Sequence, residues 1–191
     1  MPVRILHVSD LHMGQREDPE VTRALTAFAA RIRPDLIVAT GDLTHRGRRA
    51  QHEGAAALLR GFGPPVVAVP GNHDIPYTFP ARFTRPWAEF ERLWETTEPV
   101  HRSDEVYVVG LNSVRPWRHQ SGGLREAQLT RAAAAFAAAP AGALRVAVLH
   151  HQLTGAPWRT RKRPVARRSR RSRATPPRTR GGRGARRSSR H

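Results

Sequence analysis

Val69-Pro70-Gly71-Asn72-His73-Asp74 is the stretch whose reading decides the fold. It follows an apolar run, Pro65 to Val69, that reads as a buried strand, so its polar cluster sits where that strand ends. Asn, His and Asp side by side at a strand end cannot all face a core. Some must project into the space above the sheet. In open α/β sheets that space, beyond the carboxyl ends of the strands, is where ligands bind.

Working outward, the arrangement recurs. The run Val3 to Val8 ends in Ser9-Asp10-Leu11-His12, Asp35 to Thr40 ends in Gly41-Asp42-Leu43-Thr44, and Leu144 to Leu149 ends in His150-His151. Four strands are therefore expected to deliver Asp10, His12, Asp42, Asn72 and His150 to the same edge of one sheet. Between them lie helices. Glu17, Asp18, Pro19 and Glu20 look like a helix start, with Val21, Leu25, Phe28, Ala29 and Ile32 turned to the sheet. A second helix, Arg49 to Arg60, turns Ala56, Leu58 and Leu59 inward. Strand and helix in alternation argue for α/β layering.

Further along, Pro76 and Pro80 are expected to keep residues 75–84 irregular. Trp87, Phe90, Leu93 and Trp94 recur at helical spacing and read as a core-facing stripe. The alternative is a cleft wall that stacks a base or aryl group. Val106 to Leu111 reads as a strand ending in Asn112-Ser113, and Leu124 to Ala138 as an alanine-rich helix.

Carboxylate, amide oxygen and imidazole form a ligand set for hard-to-borderline divalent metals. The chain has no cysteine, which excludes a disulfide framework and a thiolate metal site. Asp10-x-His12, Gly41-Asp42, Gly71-Asn72-His73-Asp74 and His150 together resemble the calcineurin-like metallophosphoesterases, and the class III cyclic-nucleotide phosphodiesterase branch in particular. The resemblance runs from about Val3 to about Trp158.

That resemblance implies a layered α-β-β-α sandwich and a centre of two divalent ions, drawn from Mn, Fe, Zn and Mg. It places Asp10 and His12 on the first ion, Asp42 as the bridge, and Asn72 and His150 on the second. His73 approaches the scissile phosphate without binding metal, and Asp74 fixes its orientation. Arg46 would contact phosphate, and His151 would stand behind His150. The implied activity is hydrolysis of a phosphomonoester or phosphodiester by metal-activated water. Of the remaining histidines, His7 reads as a core or interlayer residue and His45, His101 and His119 as surface residues.

The sequence departs from the family at its end. The resemblance calls for a further strand and then Gly-His-x-His, which would give each ion a second imidazole; His191 is the only histidine after His151. The sandwich is therefore expected to be incomplete, with an unpaired sheet edge, marginal stability and impaired activity.

Charge marks the same boundary. The formal net charge is +18, yet residues 156–191 hold 15 of the 33 basic residues and no acid, leaving +3 on the first 155. No Leu, Ile, Val, Met, Phe, Tyr or Trp follows Val165. Residues 1–158 thus read as the catalytic domain and 159–191 as an Arg/Pro/Ser/Gly-rich disordered tail. Lys162 stands alone against 32 arginines, the mark of a GC-rich gene, and the tail reads as a shifted frame or truncated end of it. Two rival readings are a nucleic-acid-binding protein whose tail neutralises phosphates, and a metal-poor pseudoenzyme. With no signal-like start and no apolar run long enough for a bilayer, the expected compartment is the cytoplasm, without membrane contact.

Overall fold

In the computed structural model of the protein, residues 2–15, 19–118 and 120–152 are described. The chain runs β1 (Ile5–Val8), α1 (Pro19–Ile32), β2 (Leu36–Ala39), α2 (Arg49–Gly61), β3 (Val66–Ala68), α3 (Ala81–Thr84), α4 (Ala88–Trp94), β4 (Val100–Arg102), β5 (Val106–Gly110), α5 (Glu126–Ala137) and β6 (Leu144–Val148). Strands β1, β2 and β3 form one parallel sheet in that order. A second sheet runs β4-β5-β6, with β4 antiparallel and β6 parallel to the central strand.

Apolar side chains alternate between the two faces of each strand, and three core clusters follow between the layers. Leu36, Val38, Val67 and Val69 from the first sheet meet Val106, Val108 and Val148 from the second, which makes the inter-sheet core. Leu6, Val8, Ile37, Ala39 and Ala68 point the other way, toward Ala29, Ala55, Leu59 and Phe90 of the helices. Tyr107, Val109 and Leu111 pack beneath Ala132 and Ala139 on the outer face of the second sheet. Full burial of each such aliphatic side chain contributes roughly 1.5–3 kcal/mol. Helix, sheet, sheet, helix is the layering implied by the sequence resemblance.

Local signals set the helix bounds. Arg33 adopts a left-handed φ of 47° and Pro34 cannot continue the coil, so α1 stops at Ile32. At the start of α2 the side chain of Gln51 accepts the Arg48 N–H at 3.3 Å, and at the start of α5 Gln128 accepts that of Arg125 at 2.9 Å. Each satisfies a donor that the helix leaves open.

Several expectations need correction. The ligand-bearing strands belong to two sheets, not one: His150 follows β6 of the second. Val21 and Phe28 of α1 are exposed, at 63% and 42%, while Leu25 and Ile32 pack half-buried against the core and Ala29 is fully buried, so the covered stripe is narrower than the apolar one. Residues 81–84 form a helical turn despite the prolines, since Pro80 accepts from Phe83 and Thr84 at the N-terminal side, where a missing N–H costs nothing. Strand β4 had no sequence signal beyond three residues. The stripe divides: Phe90 is wholly buried and Trp94 packs against the same cluster, whereas Trp87 precedes α4 and lines a cavity. The helix start at Glu17 and Asp18, and everything expected after Gln152, lie outside the described residues.

Candidate metal centre

Beyond β1 the chain stays in step with the loop beyond β2. Asp10 N–H donates to Gly41 O, His12 N–H to Asp42 O and Met13 N–H to Leu43 O, each at 3.0 Å. Keeping step while turning requires left-handed backbone at three non-glycine residues: Asp10 at φ 56°, His12 at 47° and Asp42 at 50°. Such conformations cost on the order of 1–3 kcal/mol each and persist where the surroundings enforce them, typically at functional sites. The three are the polar residues that the sequence singles out on these loops.

The loop after β3 closes on them through glycine. A Cβ on Gly71 would lie 2.2 Å from both the backbone nitrogen and Oδ1 of Asp42. Gly41, at φ +90°, has the Gly71 nitrogen and His150 Nδ1 where its own Cβ would be, at 2.5 and 2.9 Å. No side chain fits between these backbones.

Asp42 is the hub. It is 5% exposed, its Oδ1 accepts the His73 N–H at 2.8 Å, and its Oδ2 lies 3.9 Å from His12 Nε2 and 3.5 Å from His150 Nε2. His12 Nε2 is also 3.8 Å from Asp10 Oδ1, and Asp10, His12 and Asp42 each offer a ligand atom within 4.8 Å of the others. These spacings exceed hydrogen-bond length. Atoms each about 2.0–2.2 Å from a shared ion lie no more than about 4.4 Å apart, which is the range found here. The His150 ring donates through Nδ1 to Thr40 O at 2.8 Å, which turns the lone pair of Nε2 toward Asp42. A second hydrogen bond of this kind fixes the tautomer of metal-binding histidines. His151 faces away, its Nδ1 2.8 Å from Ser113 Oγ. Asn72 is half-buried between Gly71 and His73, the two residues that touch Asp42.

The His73 ring packs 4.8 Å from that of His12, and its Nδ1 lies 2.8 Å from the His45 carbonyl and 2.9 Å from the Tyr77 hydroxyl. These two groups orient the ring. Asp74 does not, which corrects the expectation for it. It is 1% exposed, with Oδ1 accepting Thr44 N–H at 2.8 Å and Thr44 Oγ1–H at 3.0 Å, and Oδ2 accepting Gly71 N–H at 2.8 Å. Its backbone carbonyl lies 3.1 Å from Nε2 of the buried His52. The physical reason is chain direction: the turn that presents His73 outward sends the next side chain inward, where loop N–H groups need an acceptor. Burial raises the Asp74 carboxyl above the usual range, against the lowering effect of the Gly71 N–H, and burial lowers the His52 imidazole.

Among other expectations, Arg46 is exposed, with its guanidinium 5.9 Å from the Tyr77 ring. His45 is not a lone surface residue. It stacks on His73 at 5.9 Å and 24°, and burial followed by the charge of Arg46 lowers its pKa. His7 is exposed rather than core, its Nε2 2.8 Å from Thr40 Oγ1 on the edge strand. His101 is half-buried on β4, and His119 lies outside the described residues. Tyr77 and His52 had weaker signals: a tyrosine four residues past His73, and a histidine at helical spacing with Ala55, Ala56 and Leu59.

The donor set, two carboxylates with imidazoles turned inward and no thiolate, fits divalent cations. The family model described as calcineurin-like phosphoesterase matches residues 3–165. A probable cyclic nucleotide phosphodiesterase of Rhodopseudomonas palustris is 30% identical over 132 residues, 66% of this chain and 47% of that protein. The 3',5'-cyclic adenosine monophosphate phosphodiesterase CpdA of Escherichia coli K12 is 37% identical over 82 residues, 38% of this chain and 30% of that one. The chain thus spans about half or less of these curated relatives. In fold it is similar to a dimetal phosphatase from Danio rerio, with a TM-score of 0.54 and 14% identity over 79% of this chain and 70% of that one. The chain belongs to the calcineurin-like phosphoesterase family.

Proposed function

We propose that this protein is a phosphoesterase of the phosphodiesterase-like branch, with cyclic nucleotides among its candidate substrates, acting through two divalent cations. The observation that carries the reading is the placement of Asp42: one carboxylate oxygen held by the His73 N–H, the other between the imidazoles of His12 and His150. In this reading Asp10 and His12 would hold one cation, Asn72 and His150 the other, and Asp42 would serve both. When bound, such a pair supplies an activated water and neutralises charge on the attacking and leaving oxygens.

The remaining work falls to the chain. His73, held through Nδ1, presents Nε2 to the anion and protonates the leaving oxygen or stabilises its charge. Burial raises the pKa of Tyr77, so the phenol beside His73 stays protonated. Arg46 adds positive charge at the rim and contacts the phosphate. His151 holds the strand end behind His150 through Ser113. Asp74 ties the loop after β2 to the loop after β3, which keeps Asp42 and Asn72 in register.

Residues 152–191 hold no Gly-His-x-His motif, so from the residues named here each cation would draw one imidazole where the family pattern supplies two. We infer weakened metal affinity and reduced turnover, a domain of residues 1–158, a basic tail able to hold polyanions, and a cytoplasmic setting. Among the described residues no helix is long and apolar enough to cross a membrane. The test is hydrolysis of bis(p-nitrophenyl) phosphate with added Mn²⁺. Asp42→Ala and Asn72→Ala should each abolish the metal-dependent rate; a rate unchanged in both removes the dinuclear reading.

A further inference from the structure

Outside the metal cluster, a cavity of about 420 Å³ opens between the start of α4 and the loop from β5 to α5. That volume lies within the range of small-molecule sites, roughly 300–1,000 Å³. Its walls include Trp87, Glu98, Arg115, Trp117, Arg125 and Arg131.

The charges do not cancel. Glu98 is engaged by Arg131 at 2.5 Å and by the Gln128 amide. Arg115 donates to neutral acceptors: the Val114 carbonyl and Gln128 Oε1, each at 2.9 Å, and the Asn112 carbonyl at 3.4 Å. No ion pair to Arg115 or Arg125 occurs among the described residues; burial and then the charges of Arg125 and Arg118 lower the Arg115 pKa, and Glu98 offsets them in part. One carboxylate, already engaged by Arg131, thus faces three arginines at the cavity wall, and the balance is positive.

The aromatic wall is built in advance. Trp117 is 77% exposed yet stacks one face on Phe83, at 4.2 Å and 14°. Its loop is anchored by Arg82, a 6% exposed arginine whose Nε donates to Pro116 O at 3.0 Å and whose Nη1 donates to Pro76 O at 3.3 Å. The other indole face is open. A rigid exposed ring beside unpaired cations favours ligands that combine a planar π system with an anion.

We propose that this cavity binds an aromatic phosphate, with the anion between Arg115 and Arg125 and the ring system on the open face of Trp117. Binding here needs no metal and stands apart from the proposed hydrolysis. The test is calorimetric titration of the full chain in EDTA at about 150 mM salt, where long-range charge attraction is screened. The probes are adenosine 5'-monophosphate, phenyl phosphate, adenosine and inorganic phosphate.

At least one aromatic phosphate should bind about ten-fold more tightly than adenosine or inorganic phosphate, the size of one stacked ring's contribution. The exposed-site variants Trp117→Leu and Arg125→Gln should each weaken it about five-fold or more, while Asp42→Ala leaves it unchanged. Equal affinity for both aromatic phosphates assigns the site to aryl phosphates in general, and preference for the nucleotide assigns it to nucleotides. Three results overturn the proposal: inorganic phosphate binding as tightly as the aromatic probes; Trp117→Leu and Arg125→Gln binding like the parent, which puts the ligand on the basic tail common to all variants; and Asp42→Ala abolishing binding, which puts it in the metal centre.

Discussion

At the scale of the residue, the centre depends on what is missing from two positions as much as on what is present. Gly71 gives its Cβ space to the backbone and carboxylate of Asp42. Gly71→Ala is expected to push Asp42 away from His12 and His150 and so to remove Mn²⁺ binding. A local strain of about 1–3 kcal/mol should leave the secondary structure intact. Calorimetric metal titration beside far-ultraviolet circular dichroism checks this; undiminished metal affinity would show that the close approach is not needed. Sequence made the identities of Asp10, His12, Asp42 and His150 legible because each sits where an apolar run stops. It hid what Asp74 does. A carboxylate next to a candidate catalytic histidine looks like its partner, and only the three-dimensional path of the turn shows it accepting from the N–H groups of Thr44 and Gly71.

At the scale of the element, α2 does more than cover the sheet. It places His52, wholly buried, against the Asp74 carbonyl and edge-on to Phe90 at 6.1 Å. Burial lowers the folded-state pKa of His52 below the unfolded value of about 6.5. At acid pH the unfolded chain therefore takes up a proton that the folded chain resists. His52 contributes its full stability above about pH 6.5, and that contribution falls as pH drops toward the folded-state value. Urea melts between pH 7.5 and 5 should show stability declining with acid, with a shallower decline in His52→Gln; parallel slopes in the two proteins would contradict this. The element order was legible from apolar periodicity. The pairing was not: nothing in a five-residue apolar run says which sheet it joins, so β6 and its His150 were expected beside β1 to β3. The face of α1 was drawn too wide, since periodicity shows a helix's apolar stripe but not how much of it neighbours cover: Leu25, Ala29 and Ile32 are covered, Val21 and Phe28 are not.

At the scale of the whole molecule, β6 is an edge strand among the described residues, with Leu144 60% exposed. If the basic tail is a shifted frame, another frame of the gene after codon 168 should encode an apolar strand followed by Gly-His-x-His. Sequencing the locus checks it, and absence of that motif from both other frames rules the explanation out. The two sheets carry a further consequence. Asp10, His12 and Asp42 hang from the first sheet and His150 from the second, so a cation held between Asp42 and His150 would rivet one half of the sandwich to the other. Melting temperature should then climb with Mn²⁺ concentration. Linkage sets the size at about 2.7 kcal/mol when the free ion exceeds its dissociation constant a hundred-fold, and chelation or His150→Ala should erase the gain.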